Sequence, residues 1–166
     1  MPASFSIKRL SLADRGMITA TAHVRGGADM GYGWYLDGKM EKKTNTFIDF
    51  IAARDALVER GWVDGARVGA EGGSAGGMLM GAIANMAPEK FASIIGAVPF
   101  VDVLATMLDE TLPLTPPEWP EWGNPLADKE AYERLASYSP IDRVEAKAYP
   151  AILATGGLTD PRVTYW

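Results

Sequence analysis

Cysteine is absent from the 166-residue sequence, and histidine occurs once, at His23. The first absence excludes disulfide staples, cysteine nucleophiles and thiolate metal sites, without fixing the redox compartment. The second would leave a zinc site to carboxylates, and no ligand pair stands at helical spacing, so no metal or other cofactor is expected. Long hydrophobic runs are missing too. No apolar stretch approaches the roughly 18 residues of a membrane span. The opening MPASFSIKRLSLADRG lacks the uninterrupted apolar centre of a signal peptide. A soluble cytoplasmic protein without a membrane partner is therefore expected. Positive charge is scarce as well: the formal net charge is -5 and the isoelectric point near 4.9. No basic patch is long enough to hold a phosphate backbone, which argues against nucleic acid and favours cationic ligands.

What the chain does have is apolar bulk, 48% hydrophobic against 22% charged residues, enough for one globular domain with a real core. Short apolar segments alternate with helical patterns. Gly16 to Val24, Ala66 to Gly73, Phe91 to Phe100 and Tyr149 to Gly157 read as strands buried on both faces, as in parallel sheets. Thr44 to Gly61 reads as a crossover helix, with Thr46 and Asp49 placed as a capping box and Gly61 as its stop. Met78, Leu79, Ala82, Ile83 and Met86 repeat at helical spacing until Pro88. This alternation predicts an α/β fold with a mainly parallel sheet and flanking helices. Asp109 to Pro140, rich in proline and tryptophan, is too long for an ordinary connection and is expected to shape a binding site.

The chemistry concentrates in VGAEGGSAGGMLMGAIANM, Val68 to Met86, where Gly72, Gly73, Gly76 and Gly77 surround Ser74. A buried strand here turns into an amphipathic helix through Gly72-Gly73-Ser74-Ala75-Gly76, the G-x-S-x-G pattern of a nucleophile elbow. In that turn the serine hydroxyl stands above the sheet, and the next N–H, from Ala75, points to where an oxyanion would develop. Phosphate binding is the competing reading of a glycine-rich turn. The dinucleotide pattern G-x-G-x-x-G and the Walker ending G-K-[ST] are both missing, which argues against it.

Beyond that motif, HVRGG, WYLDGKMEKKTNTFIDFIAA, EGGSAGGMLMG, GAVPFVDVLATMLD, EWGNP and DPRV together resemble the catalytic domain of oligopeptidase B-type enzymes, in the prolyl oligopeptidase family of serine peptidases. The likeness runs through nearly the whole chain. It implies part of an α/β-hydrolase domain, capped in the family by a β-propeller, acting on short peptides with arginine or lysine before the cut. By resemblance, Ser74 matches the nucleophile, Ala75 the backbone oxyanion donor and Asp160 the triad acid, with Asp102 as its rival. Arg162 matches an arginine that binds a substrate carbonyl. Glu118 matches a carboxylate of the basic pocket. The family's second pocket glutamate falls at Pro120 here, and Glu121 is the candidate to compensate.

The triad order is serine, acid, histidine, and no histidine follows Asp160. His23 lies in HVRGG, which the family carries outside its triad, so a structural role is expected for it. The resemblance therefore implies that residues 1–166 are an incomplete catalytic domain. The oxyanion-loop strand would lie upstream, the histidine segment downstream and the propeller elsewhere, and this remainder of the peptidase chain would be its partner. Two other readings stay open: an esterase or acylaminoacyl peptidase on the same fold, and a truncated, non-catalytic binding module.

Overall fold

The computed structural model describes residues 5–165. Three parallel strands lie in the order β1 (Gly69–Gly73), β2 (Ser93–Ala97) and β3 (Ala151–Thr155). Their register aligns Gly69 with Ser93 and Ala151, and Gly73 with Ala97 and Thr155. All three strands therefore end at one level, and the segments that follow them emerge along one edge of the sheet. Two short helices, α1 (Ile7–Ala13) and α2 (Tyr32–Leu36), and the long α3 (Thr44–Glu59) precede β1. Helix α4 (Ala75–Met86) joins β1 to β2, and α5 (Val103–Leu108), α6 (Thr115–Trp122) and α7 (Lys129–Tyr138) stand between β2 and β3.

The core forms where α4 lies on β1 and β2. Met78, Leu79, Met80, Ala82 and Ile83 of α4 are buried with Phe47 of α3, Ile94 of β2 and Leu135 of α7. Burying each larger side chain contributes about 1.5–3 kcal/mol. So close an approach requires missing side chains. A Cβ placed on Gly72 would stand 2.3 Å from the carbonyl oxygen of Gly76, and one on Gly77 would stand 2.4 Å from Cα of Pro99.

The structure departs from the sequence reading at four places. Gly16 to Val24, read as a strand, joins no ladder, and Met17 and Ile18 are exposed. A strand requires a neighbour about 4.8 Å away, and among the described residues β1 pairs on one side only, with β2. Neither β1, where Glu71 is exposed, nor β3 is buried on both faces. Ile152 and Leu153 are 55% and 56% exposed, because the helices gather over β1 and β2, and an apolar hollow of about 320 Å³ remains between α4, β2 and β3. Thr46 and Asp49 are not a capping box. Lys43 is the N-cap of α3 and lends it no side-chain bond. The Thr46 hydroxyl instead donates to the carbonyl of Arg25 at 2.7 Å, and Asp49 accepts the Arg25 N–H, Nε and Nη2 at 2.9, 2.8 and 2.6 Å. These bonds pin the HVRGG turn to α3 and hold the Asp49 carboxyl below the ordinary aspartate range. Finally, the proline-rich stretch is largely helical, in α6 and α7.

The glycine contacts separate two neighbouring positions. Gly77→Ala should destabilise the fold by about 1–3 kcal/mol through overpacking against Pro99. An added Cβ at Gly76 meets nothing within 4 Å, so Gly76→Ala should be neutral or stabilising by up to about 1 kcal/mol. Urea midpoints followed by circular dichroism check both.

Candidate active site

Ser74 follows β1 with φ 54° and ψ -121°, a backbone conformation that side chains other than glycine rarely adopt. Such strain costs about 1–3 kcal/mol and persists only where the surroundings over-determine it. Here they do. The Ser74 N–H donates to Ala97 at 2.9 Å, and its carbonyl accepts the N–H groups of Gly77, Met78 and Phe100 at 2.8, 3.1 and 3.1 Å. The side chain is exposed, and its hydroxyl makes no hydrogen bond among the described residues. Ala75, also exposed, opens α4 with an N–H that has no backbone acceptor among the described residues. An exposed hydroxyl on a strained strand-to-helix turn, beside a free N–H at a helix start, is the geometry of an acyl-transfer nucleophile. Val98, just past β2, is a second strained residue, at φ 45°, and its N–H reaches Thr155 at 2.6 Å. Nothing in the sequence pattern marked it.

Asp160 lies five residues beyond β3, on the same edge. Its Oδ1 accepts the N–H groups of Arg162 and Val163 at 2.8 and 3.0 Å, and these bonds lower its pKa from the ordinary aspartate value. Its Oδ2 accepts no hydrogen bond among the described residues. Strands β1 and β3 are two ladder spacings apart, about 10 Å, which leaves room for an imidazole between the groups that follow them. Asp102 sits after β2 as the N-cap of α5, without a side-chain cap bond. The Arg162 guanidinium is exposed, with no ion pair within 4.0 Å among the described residues.

Half-buried carboxylates fall into two groups. Asp37, Asp49, Asp55 and Glu121 each face a lysine or arginine, respectively Lys42, Arg25, Lys90 and Lys39. Asp102, Glu118 and Asp160 have no basic partner at ion-pair distance among the described residues. Glu118 is held instead by a neutral donor, the Trp122 indole Nε1–H, at 2.7 Å to Oε2, and its Oε1 is open. Glu121 accepts the Tyr35 hydroxyl at 2.6 Å and stands 3.9 Å from Lys39, so its charge is already compensated within the chain. The sequence reading had not linked Trp122 to Glu118. Their i, i+4 spacing would have shown it, had the segment been read as a helix.

His23 stands apart from this group. Its Nδ1 lies 3.1 Å from Asp29, and its carbonyl accepts the Trp34 indole N–H at 3.1 Å. It makes no hydrogen bond with Ser74. Among the described residues, no three histidine, cysteine, aspartate or glutamate side chains cluster as a metal site would require, and no helix is long and apolar enough to cross a membrane.

Comparison with known proteins bears on the family and the fold. The sequence model of the prolyl oligopeptidase family matches residues 3–166. Dipeptidyl aminopeptidase BI of Pseudoxanthomonas mexicana is 55% identical over 166 residues, covering 100% of this chain and 23% of the relative. Protease 2 of Moraxella lacunata is 54% identical over 162 residues, covering 98% of this chain and 23% of the relative. Oligopeptidase B from Leishmania major superposes on the whole chain with a TM-score of 0.96 at 50% identity, over 23% of its own length. Oligopeptidase B from Trypanosoma brucei, in a closed form with covalently bound antipain, covers 87% of this chain and 20% of its own, with a TM-score of 0.84 at 50% identity. The chain thus spans about 23% of the length of the curated relatives.

The strain at Ser74 is measurable. Glycine at this position loses about 0.5–1 kcal/mol to chain entropy but relieves about 1–3 kcal/mol of backbone strain, so Ser74→Gly should be more stable than Ser74→Ala in urea. A second expectation concerns acid. A carboxyl with a depressed folded-state pKa supports its loop above the unfolded-state value and ceases to do so as pH falls through the folded one. Amide exchange at Arg162 and Val163 should therefore quicken on acidification, relative to neighbouring amides, only below the ordinary aspartate pKa.

Proposed function

Because the chain belongs to the prolyl oligopeptidase family, we propose that the protein carrying it is a serine oligopeptidase that cuts short peptides after arginine or lysine through an acyl-enzyme. The observation that carries the serine chemistry is the strained, exposed Ser74 with the unpaired Ala75 N–H beside it. Ser74 Oγ attacks the scissile carbonyl carbon while its proton passes to a histidine supplied from outside residues 1–166. The carbonyl oxygen becomes an oxyanion and accepts the Ala75 N–H. The histidine then protonates the leaving amine, the C–N bond breaks, and the acyl group remains on Ser74 as an ester. Water, deprotonated by the same histidine, hydrolyses that ester and restores the serine.

Asp160 holds the imidazole through its open Oδ2. Its Oδ1, fixed by two backbone N–H groups, sets the carboxylate plane. Asp102, five residues beyond the adjacent strand, is the weaker candidate because no comparable pair of bonds orients its carboxylate. Arg162 accepts the substrate backbone by donating to a carbonyl oxygen. The Trypanosoma brucei relative holds antipain covalently, in keeping with a nucleophile on the shared fold.

The relatives carry names of different peptidase activities, so the basic preference rests on Glu118. A half-buried carboxylate with one open oxygen and no cation of its own suits a substrate guanidinium or ammonium, with which it makes charge-assisted hydrogen bonds. Glu121 already has Lys39 and contributes negative potential rather than direct contact.

Three measurements test this reading. Full-length protein carrying this chain should hydrolyse an arginyl peptide and bind a fluorophosphonate label, both abolished by Ser74→Ala. The 166-residue chain alone should be nearly inert, since loss of the triad histidine costs about a millionfold in kcat. In the full-length protein, Glu118→Gln should lower kcat/KM for peptides with arginine before the cut by about ten- to a hundredfold relative to a neutral residue. Turnover by the short chain alone, or equal losses on both peptides, would contradict the triad or the pocket respectively.

A further inference from the structure

We propose that Trp122 is the positioning residue of the basic pocket: its indole N–H holds the Glu118 carboxylate, and its ring ties that carboxylate to the nucleophile elbow. The inference rests on the pocket role of Glu118 given above and adds how a single acid achieves selectivity. Glu118 and Trp122 lie one turn apart on α6, and the Nε1–H to Oε2 bond is 2.7 Å. Because Pro120 occupies the place of a second acid, one carboxylate must do the recognition. A glutamate free to sample its rotamers would lose that freedom on binding substrate. The indole removes part of this cost beforehand. It occupies one oxygen with a neutral donor, which orients the group without cancelling its charge, and leaves Oε1 for a cation.

The indole is itself fixed. Trp122 is 5% exposed. Its ring meets Phe100 edge-on at 5.7 Å between centroids, and the Phe100 N–H donates to the Ser74 carbonyl at 3.1 Å. The Lys43 ammonium lies 4.8 Å from the indole centroid. Lys43 is 8% exposed, and burial pulls its pKa below the ordinary lysine value, with Glu121 opposing. Cation over ring, ring against ring, and amide on the elbow carbonyl thus form one contiguous path from Glu118 to Ser74. A shift of the indole would move the carboxylate relative to the attacking oxygen, and substrates that use that carboxylate would sense it.

Kinetics of the full-length protein test this. Trp122→Phe keeps an aromatic ring against Phe100 and removes only the N–H. It should raise KM for a peptide with arginine before the cut about tenfold, the scale of one charge-assisted hydrogen bond, with kcat little changed and a neutral peptide unaffected. Combined with Glu118→Gln it should add nothing to the loss from Glu118→Gln alone, since Trp122 acts on the substrate only through the Glu118 charge. Because Trp122 is buried, a second readout stands apart from that variant: in protein with isotope-labelled tryptophan, N-acetyl-arginine amide should shift the Trp122 indole resonance, and Glu118→Gln should abolish the shift. Selectivity lost in Glu118→Gln but intact in Trp122→Phe, additive losses, or equal losses on both peptides in Trp122→Phe would overturn the role of Trp122 and leave the pocket standing. Unchanged selectivity in Glu118→Gln would overturn the pocket itself, and this inference with it.

Discussion

The Ser74 carbonyl accepts N–H groups from the first turn of α4 and from Phe100, and the Ser74 N–H donates to the last residue of β2. Through this one residue the end of β1, the start of α4 and the exit from β2 are joined, and the positions of the remaining groups follow from that junction. The positive φ that the junction imposes costs about 1–3 kcal/mol. Four backbone hydrogen bonds, each contributing about 0.5–1.5 kcal/mol net, offset it. The junction closes only because Gly72 and Gly77 carry no Cβ where Gly76 and Pro99 pass. Val98, strained alongside, links the same edge to β3 through Thr155. Two of the three non-glycine residues at positive φ among the described residues, Ser74 and Val98, therefore lie at one end of the sheet, where the chemistry is proposed to occur; the third, Met40, precedes α3.

Charge is organised by the same frame. Most half-buried acids are neutralised within the chain by a neighbouring lysine or arginine, as at Asp49 with Arg25 and Asp55 with Lys90. The exceptions follow the strand ends or sit on α6, and each is left with an open oxygen or no side-chain cap bond. Leaving a carboxylate half-buried without a cation costs solvation. The arrangement makes physical sense if an imidazole at Asp160 and a basic side chain at Glu118 supply the missing partners. Trp122 fits the same logic, since an indole N–H fixes a carboxylate while leaving its negative charge available.

Ser74 was legible because its signal is local. A glycine-flanked serine between an apolar strand and an amphipathic helix leaves the backbone few alternatives, and the helix after it runs from Ala75 to Met86 as its periodicity requires. The parallel pairing and three of the four strands expected were likewise visible in the alternation of apolar runs and helices. The segment Gly16 to Val24 was not, because strand character belongs to a pair: its composition suits a ladder, and no described neighbour provides one. Helix α6 was hidden by Pro116 and Pro117, which occupy the first turn, where missing N–H groups leave nothing unpaired.

By itself, then, the sequence determined the alternation of strand and helix around β1, α4 and β2, the elbow, the absence of cysteine chemistry and the family, because each depends on residue identity and short-range spacing. The tertiary structure alone decided which carboxylates have cations, that Thr46 and Asp49 serve Arg25 rather than the start of α3, that His23 pairs with Asp29, and that Trp122 reaches Glu118 while resting on Phe100. Several of these pairs are distant in the chain, and even the near ones, Glu118 with Trp122 and His23 with Asp29, meet only as packing orients their side chains. Composition and periodicity constrain such contacts only through the packed core that brings the atoms together.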